Sequence, residues 1–273
     1  MAERAPQATA GDEAALRRLA ARIRLACVRM VAIEGFGYLG QALSSAEIFA
    51  VLFGSGHVGP ERGRFVLSPA HYAIALYAAA AETGLLDPAQ LSDYGADGSL
   101  LEAISTERTP LLDLTCGSLG QGLSGAIGLC LSDRFAGSDR RTIAFLSDGE
   151  LEEGQVWEAA TFAAHRGLDR LTVVLDANGS QVDGPVAWVT TLEPIAERWR
   201  AFGWHVAEVD GHDVTALAGA LELVAAAGGP GIVIARTDIF GRTKSLPGSV
   251  DGHFIKLTPE LTESLVAELE ADL

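Results

Sequence analysis

The 273-residue sequence is poor in several residue types, and each shortage excludes a class of protein. Its three cysteines, Cys27, Cys116 and Cys130, are odd in number and fit neither a disulfide framework nor a Cys-x-x-Cys clip. This usage is typical of a reducing compartment and predicts a cytoplasmic protein. Basic residues are also scarce, with 20 Lys and Arg against 36 Asp and Glu and a net charge of −16. We therefore expect no basic face and no nucleic-acid partner.

Long apolar runs without charge are missing as well. No stretch of about eighteen residues is suited to span a bilayer, and the first ten residues contain no apolar signal core. The sequence therefore predicts no membrane segment, and residues 1–11 are expected to form a flexible tail. Residues 12–273 are expected to form a single large domain, because 48% of the sequence is apolar.

Short apolar runs alternate with amphipathic stretches along the chain. This pattern predicts an α/β fold with a doubly wound, mostly parallel sheet and helices on both faces. The predicted strands are 142–147, 171–176, 204–209 and 231–236. The predicted helices are 12–33, 45–53, 70–83, 120–135, 155–166, 191–201, 213–227 and 258–271. Asp12 and Asp213 are expected to cap the helices that follow them.

Asp148 and Asn178 point most directly to a function. Each follows a predicted strand, and the thirty positions between them contain a predicted helix. The order strand, loop, helix, strand, loop puts both polar loops at the carboxyl ends of neighbouring parallel strands, where open α/β sheets bind ligands. A carboxylate and an amide oxygen at this edge suit a hard cation that shares a phosphate. Considered one at a time, the two residues would be ordinary turn formers.

Four motifs accompany this pair in a fixed order along the chain. They are Arg64-Phe-Val-Leu-Ser68 with His71, and the segments 115–124, 148–158 and 209–214. Together they resemble transketolase, and especially the amino-terminal subunit of split transketolases, over most of the chain. The resemblance implies a thiamine-diphosphate-binding fold of the PP type. It also implies transfer of a two-carbon ketol unit from a ketose phosphate to an acceptor.

The same resemblance implies a metal site and a set of cofactor contacts. Asp148, Asn178 and the backbone carbonyl of Ser180 would coordinate Mg²⁺ or Ca²⁺ together with the diphosphate. The residues implied to bind thiamine diphosphate are His71, Gly117, Ser118, Leu119, Gly149, Glu150 and Asn178. His71 and His253 would be catalytic, as hydrogen-bond donors or proton shuttles, although a lone His at a helix start is commonly a cap or a solvated residue. His212 is expected to be structural.

Two positions depart from the transketolase pattern. Tyr38 and Ile104 occupy places where transketolases carry histidines that face the substrate. Tyr38 can still form a hydrogen bond, whereas Ile104 can neither donate nor accept one. The half of the site that holds the cofactor is therefore retained, and the half that handles the sugar is changed. This difference favours a specialised reaction with a non-standard or less polar acceptor.

The resemblance also implies parts that this sequence does not contain. The pyrimidine-binding and carboxyl-terminal domains would come from a second polypeptide in an α2β2 assembly, and activity would require that partner. Alternatively, the sequence is a piece of a longer chain. Two other functions remain open: the α component of a 2-oxo-acid dehydrogenase or decarboxylase, and a non-catalytic cofactor-binding subunit. The segments 118–122 and 210–213 favour transketolase over the first, and the intact Asp148 and Asn178 argue against the second.

Overall fold

The computed structural model describes residues 12–59, 62–246 and 252–273, so the predicted tail at 1–11 lies outside the described residues. The strands are β1 (Arg64–Leu67), β2 (Thr142–Ser147), β3 (Leu171–Ala177), β4 (Ser180–Gln181), β5 (Gly184–Pro185), β6 (His205–Asp210) and β7 (Gly231–Arg236). Five of them form a parallel sheet in the order β1-β2-β3-β7-β6. The two short strands β4 and β5 form an antiparallel hairpin beside it.

The four predicted strands are present, and each end lies within one residue of its predicted position. The edge strand β1 was not predicted. It has only four residues, which is too short for an apolar run to distinguish a strand from a buried helix segment. The sheet therefore extends one strand further than the sequence pattern indicated.

The α-helices of the described ranges agree with most of the prediction. They are α1 (Glu13–Glu34), α2 (Leu39–Ser44), α3 (Ala46–Gly54), α4 (Ala73–Glu82), α5 (Gln121–Phe135), α6 (Gly154–His165), α7 (Val186–Val189), α8 (Ile195–Ala201), α9 (Val214–Ala225) and α10 (Pro259–Glu270). The short helices α2 and α7 were not predicted, and α8 begins four residues later than expected, directly after Pro194. None of the helices in these ranges is long and apolar enough to cross a bilayer.

Side chains of the edge strand β1 and its neighbour β2 alternate between two apolar cores on opposite faces of the sheet. Phe65, Leu67 and Phe145 pack into a core with α1, α3, α4, α9 and α10. Val66 and Leu146 belong to the other core, together with α5, α6 and α8. The doubly wound α/β fold with helices on both faces is therefore confirmed.

Polar caps fix the helix starts as the sequence indicated. The Asp12 carboxylate accepts a hydrogen bond from the Ala15 amide at 3.0 Å. The Asp213 carboxylate accepts from the amides of Thr215 and Ala216 at 2.9 and 3.1 Å. These bonds satisfy backbone donors that have no partner within the helix.

The sheet register brings the two predicted polar loops to the same edge. Ser147, the last residue of β2, pairs with Asp176 of β3. Asp148 follows Ser147 directly and Asn178 follows Ala177, the last residue of β3, so both loops lie at the carboxyl edge of the sheet. This is the edge at which open α/β sheets bind ligands.

Candidate functional site

A cavity of about 370 Å³ lies where the loops after β2 and β3 meet the segments that contain Tyr38, His71 and His253. Seven of the residues selected from the sequence line it: His71, Gly117, Leu119, Asp148, Gly149, Ser180 and His253. Ser118, Glu150 and Asn178 are not among the lining residues. The folded chain therefore gathers residues from both halves of the sequence around one space.

Asp148 is a buried carboxylate at the wall of this cavity, with 3% of its surface exposed. Its Oδ1 accepts a hydrogen bond from the Gly149 amide at 2.9 Å, and its Oδ2 accepts from the Gly179 amide at 2.7 Å. The second bond joins the loop after β2 to the loop that contains Asn178. Burial, reinforced by the charge of Asp176, raises the pKa of Asp148 to about 7. A cation at this position would stabilise the charged carboxylate.

The Asn178 side chain is held on both sides of its amide group. Its Oδ1 accepts from the Ser180 amide at 2.9 Å, while its Nδ2 donates to the Tyr72 hydroxyl at 3.1 Å and to Asp176 Oδ2 at 2.9 Å. The amide oxygen is thus directed toward the 178–180 turn, which Asp148 also contacts through Gly179.

Asp176 anchors this arrangement, and the sequence reasoning did not single it out. Its carboxylate is completely buried and accepts hydrogen bonds from the hydroxyls of Ser44, Tyr72 and Thr237. Burial raises its pKa even though these hydrogen bonds favour the charged form. An acidic residue at the end of a fully buried strand was the available signal, because such a carboxylate needs several partners.

Metal coordination by Asp148, Asn178 and Ser180 stays a prediction. Across the ranges that the structure describes, no group of three or more His, Cys, Asp or Glu side chains is arranged to hold a metal ion. The predicted metal ligands are not a cluster of that type, because they combine one carboxylate with an amide oxygen and a backbone carbonyl. Such oxygen donors suit Mg²⁺ or Ca²⁺, which take further ligands from phosphate and water.

Glu150 lies behind the cavity and connects three segments of the chain. Its Oε1 accepts from the Ser68 hydroxyl and from the Gly120 amide, the latter at 2.8 Å. Its Oε2 accepts from the Ser147 amide at 3.0 Å. Burial raises its pKa to about 7. Both oxygens of the carboxylate accept hydrogen bonds from protein groups, which fixes the glycine loop at 117–120 against the loop after β2. The contact of Glu150 with thiamine diphosphate stays a prediction.

Three aromatic side chains that line the cavity contact one another. The ring centroids of Tyr38 and His71 are 5.2 Å apart, those of Tyr38 and His253 are 5.6 Å apart, and those of the two histidines are 5.3 Å apart. Burial and the neighbouring His253 lower the pKa of His71 to about 3, which keeps this imidazole neutral. The structure therefore brings together the two predicted catalytic histidines and the tyrosine that departs from the transketolase pattern.

Two apolar side chains also line the cavity. Ile104 and Leu119 line the cavity with 45% and 38% of their surfaces exposed. Ile104 thus presents a hydrocarbon surface to any bound molecule, at the position where the resemblance to transketolase implies a histidine. The backbone beside Ile104 is held to the segment before His71, since the Ser105 amide donates to the Ala70 carbonyl at 3.0 Å.

His212 lies away from the cavity and has a structural environment, as the sequence suggested. Its Nε2 accepts from the Asp238 amide at 2.8 Å, so the ring hydrogen is on Nδ1, which donates to Glu47 Oε2 at 3.1 Å. Glu47 also pairs with Arg24 in the buried core. The three side chains join α1 and α3 to the loop before α9.

The fold and the site define a class: a parallel α/β domain with a polar cavity at the carboxyl edge of its sheet. The chain matches the family "Transketolase, thiamine diphosphate binding domain" over residues 16–267. It therefore belongs to the transketolase family and contains the thiamine-diphosphate-binding domain of that family.

Individual relatives agree with this assignment. The chain is 38% identical to the 6-deoxy-6-sulfo-D-fructose transketolase subunit of a Clostridium species, over 87% of this chain and 90% of that protein. It is 37% identical to human transketolase over 74% of this chain but only 34% of that protein. The crystal structure of transketolase from Campylobacter jejuni superposes with a TM-score of 0.85 at 25% identity, covering 93% of this chain and 42% of that one. The chain thus spans well under half of the full-length transketolases.

Proposed function

We propose that this chain is the amino-terminal subunit of a split transketolase-like enzyme and holds thiamine diphosphate through a divalent cation. The enzyme transfers a two-carbon ketol unit from a ketose phosphate to an acceptor. The observation that carries the proposal is the buried carboxylate of Asp148, which contacts the 178–180 turn at the cavity wall.

The charge of the cavity supports a metal-dependent mode of binding. Among the described residues, the lining side chains include four carboxylates and no Lys or Arg: Asp148, Glu152, Glu153 and Asp183. A diphosphate would be repelled by these charges unless a divalent cation offset them. Asn178 and Ser180 supply further oxygen atoms beside Asp148, which completes a donor set of the kind that Mg²⁺ prefers.

Two cavity positions are suited to contact the diphosphate directly. A Cβ atom placed on Gly117 would meet no other atom within 4 Å, so a ligand can approach this backbone closely. The Nε2 of Gln181 is a buried donor without a partner among the described residues, and it belongs to a side chain that lies beside Gly149. An anionic oxygen would satisfy this amide.

Thiamine diphosphate, when bound, supplies the carbanion chemistry of the reaction. The residues of this chain provide the surroundings. Leu119 and Ile104 present apolar surface to the bound molecule. The neutral imidazole of His71 can donate or accept a hydrogen bond, and His253 lies close enough to share a proton-transfer role with it.

The acceptor is proposed to differ from an ordinary aldose phosphate. Relative to the transketolase pattern, Ile104 replaces a polar group with a hydrocarbon surface, and Tyr38 replaces an imidazole with a phenol. The part of the cavity that these two residues line therefore favours a less polar or non-standard acceptor. The Clostridium relative is a transketolase subunit named for 6-deoxy-6-sulfo-D-fructose. That sugar is a ketose, so the name supports a modified sugar on the donor side of the reaction, and the proposal for the acceptor rests on Ile104 and Tyr38. The partner is proposed to be a carboxyl-terminal transketolase-like subunit in an α2β2 complex of the cytoplasm.

A binding experiment tests the metal and cofactor site. Titration calorimetry with thiamine diphosphate and Mg²⁺ should detect binding by the complex of this chain with its carboxyl-terminal subunit. Asp148→Ala should weaken that binding at least tenfold, roughly the loss expected when a metal site is disturbed. Asp97→Ala is the matched control, because Asp97 is exposed and remote from the cavity. Equal binding by both variants would contradict the proposed metal site.

An activity experiment tests the reaction. The complex, with thiamine diphosphate and Mg²⁺, should release an aldose phosphate from a ketopentose phosphate when an acceptor is present. Release of carbon dioxide from pyruvate would instead indicate a 2-oxo-acid dehydrogenase component. Tight cofactor binding without turnover of either substrate would indicate a non-catalytic subunit.

A further inference from the structure

Gln41 lines the cavity as a buried amide with an unsatisfied oxygen. Only 1% of this residue is exposed, and its Oε1 has no hydrogen-bond partner among the described residues. Buried polar atoms in native proteins nearly always have a hydrogen-bond partner. An acceptor without one at a cavity wall therefore indicates that a bound ligand supplies the donor. No motif in the sequence marked this position.

The backbone of Gln41 is fixed in place. Its carbonyl oxygen accepts hydrogen bonds from the hydroxyls of Ser44 and Ser45 at 3.1 and 2.6 Å, and from the Ser45 amide at 3.2 Å. These bonds close the end of α2 and leave the side chain directed into the cavity. The orphaned oxygen is therefore a feature of the folded site and does not result from a loose surface side chain.

The nitrogen of the same amide contacts His253. Gln41 Nε2 hydrogen-bonds with Nδ1 of that ring. An amide nitrogen can only donate, so Nδ1 must accept, and the hydrogen of the neutral imidazole is then on Nε2. Tyr38 and His71 are the other titratable groups in ring contact with His253. The Gln41 amide thus determines the tautomer of one proposed catalytic histidine.

We propose that Gln41 has two roles in this site: it positions His253 as the Nε2–H tautomer, and its Oε1 accepts a hydrogen bond from a hydroxyl group of the sugar substrate. The second role rests on the proposed function and identifies a hydroxylated ligand at this end of the cavity. The diphosphate cannot fill the position, because an anionic oxygen is an acceptor and would meet another acceptor.

Nuclear magnetic resonance of the cofactor-free chain, labelled with ¹⁵N in histidine, tests the positioning role. A His253→Asn variant assigns the signal. In the wild type, His253 should be the Nε2–H tautomer when neutral. Gln41→Glu, which presents only acceptor oxygens when charged, should switch it to the Nδ1–H tautomer, and Gln41→Met should give a mixture. Gln90→Met, at an exposed position, should leave the signal unchanged.

Two results would overturn the positioning role. One is an Nδ1–H tautomer in the wild type, which would mean that the amide has the opposite orientation. The other is an unchanged His253 signal in both Gln41 variants. Circular dichroism confirms that the variants fold. The measurement needs no cofactor, so failure of thiamine diphosphate to bind would count against the proposed function without affecting this result.

Kinetics of the complex with its carboxyl-terminal subunit test the substrate contact. A ketose phosphate is compared with analogues that each lack one hydroxyl. In the wild type, one analogue should have a kcat/KM lower by about tenfold, the value of one hydrogen bond, and Gln41→Met should abolish this difference. If Gln41→Met keeps the wild-type ratio for every analogue while cofactor binding is normal, the substrate contact is wrong and the proposed function still stands.

Discussion

At the scale of single residues, Ile104 is the cavity position where an apolar side chain stands in place of the histidine of the transketolase pattern. Replacing it by His restores a hydrogen-bonding ring at a position that is 45% exposed. We expect Ile104→His to raise kcat/KM of the complex for a hydroxylated aldose phosphate acceptor by roughly three- to tenfold, the contribution of one added hydrogen bond. Steady-state kinetics with a series of acceptors would measure this change.

Leu100→His provides the control for that substitution. Leu100 is similarly exposed, at 47%, but does not line the cavity. The Leu100→His substitution should therefore leave the acceptor preference of the complex unchanged. If Ile104→His also leaves it unchanged, Ile104 does not contribute to acceptor choice.

The cysteines provide a second prediction at this scale. All three are buried, and burial raises the pKa of Cys116 and Cys130 to about 11. At pH 8 the thiolate is then roughly a hundredfold scarcer than for a thiol of pKa 9, and only the thiolate reacts. We expect a maleimide to label the native chain very slowly and the urea-unfolded chain completely within minutes. Rapid labelling of the native chain, followed by mass spectrometry, would show that one of these thiols is accessible.

At the scale of elements, one carboxylate holds the cavity loops together. Glu150 accepts from Ser68, Gly120 and Ser147, and so joins β1, the glycine loop and the loop after β2. Glu150→Ala leaves two buried backbone donors without partners. We expect the free energy of unfolding to fall by about 2–4 kcal/mol, as measured by urea denaturation. Thiamine diphosphate binding should weaken in parallel, because the glycine loop loses its anchor.

The exposed Glu107 offers the comparison for this variant. Glu107→Ala should change the free energy of unfolding by less than about 0.5 kcal/mol. A similar loss in both variants would show that the Glu150 hydrogen bonds contribute little to stability.

The buried group of Arg24, Glu47 and His212 connects α1, α3 and the loop before α9. Glu47→Gln leaves the Arg24 guanidinium buried without its counter-ion, and we expect a loss of about 3–5 kcal/mol of unfolding free energy at pH 7. The Arg22–Glu82 pair also starts from α1 but is more exposed. Glu82→Gln should therefore cost less than about 1 kcal/mol.

The same group predicts a pH dependence. Burial alone would raise the pKa of Glu47, but the charge of Arg24 and the hydrogen bonds from His212 and Arg24 outweigh it and lower the pKa below the ordinary value of 4.5. Stabilisation by Glu47 is then complete above pH 4.5 and is lost as the pH falls through the lower, folded-state pKa. Urea denaturation should show the difference between wild type and Glu47→Gln narrowing below pH 4.5. A difference that is constant from pH 7 to pH 3.5 would contradict this.

At the scale of the whole molecule, the chain covers 90% of one relative that is named a subunit and about a third of human transketolase. In the ranges that the structure describes, no Lys or Arg that could bind a sugar phosphate lines the cavity. We expect the isolated chain to show no ketol transfer, and addition of the carboxyl-terminal subunit to restore it. Gel filtration with light scattering would detect an α2β2 complex. Turnover by the isolated chain would contradict the need for a partner.

Much of the fold and part of the site could be predicted from the sequence. The strands β2, β3 and β7 were found because each is a mostly apolar run of six or seven residues between turn signals. The predicted strand at β6 was found although its six residues mix polar and apolar types. Asp148, His71 and His253 were selected by their motifs, and the structure places all three at one cavity. Periodicity did not identify β1 or α2, because four or six residues are too few to show a period. Their positions depend on neighbours that are distant in sequence.

The sequence by itself determined the alternation of strands and helices, the helix caps and the family, because these depend on local periodicity and on motifs of fixed spacing. Only the tertiary structure decided which polar groups became partners. It gave Asp176 three hydroxyl donors, used both oxygens of Glu150 internally and left Gln41 with an unpaired oxygen at the cavity. The reason is physical: the need of a buried polar atom for a partner is set by what packs around it, and those neighbours come from elsewhere in the chain.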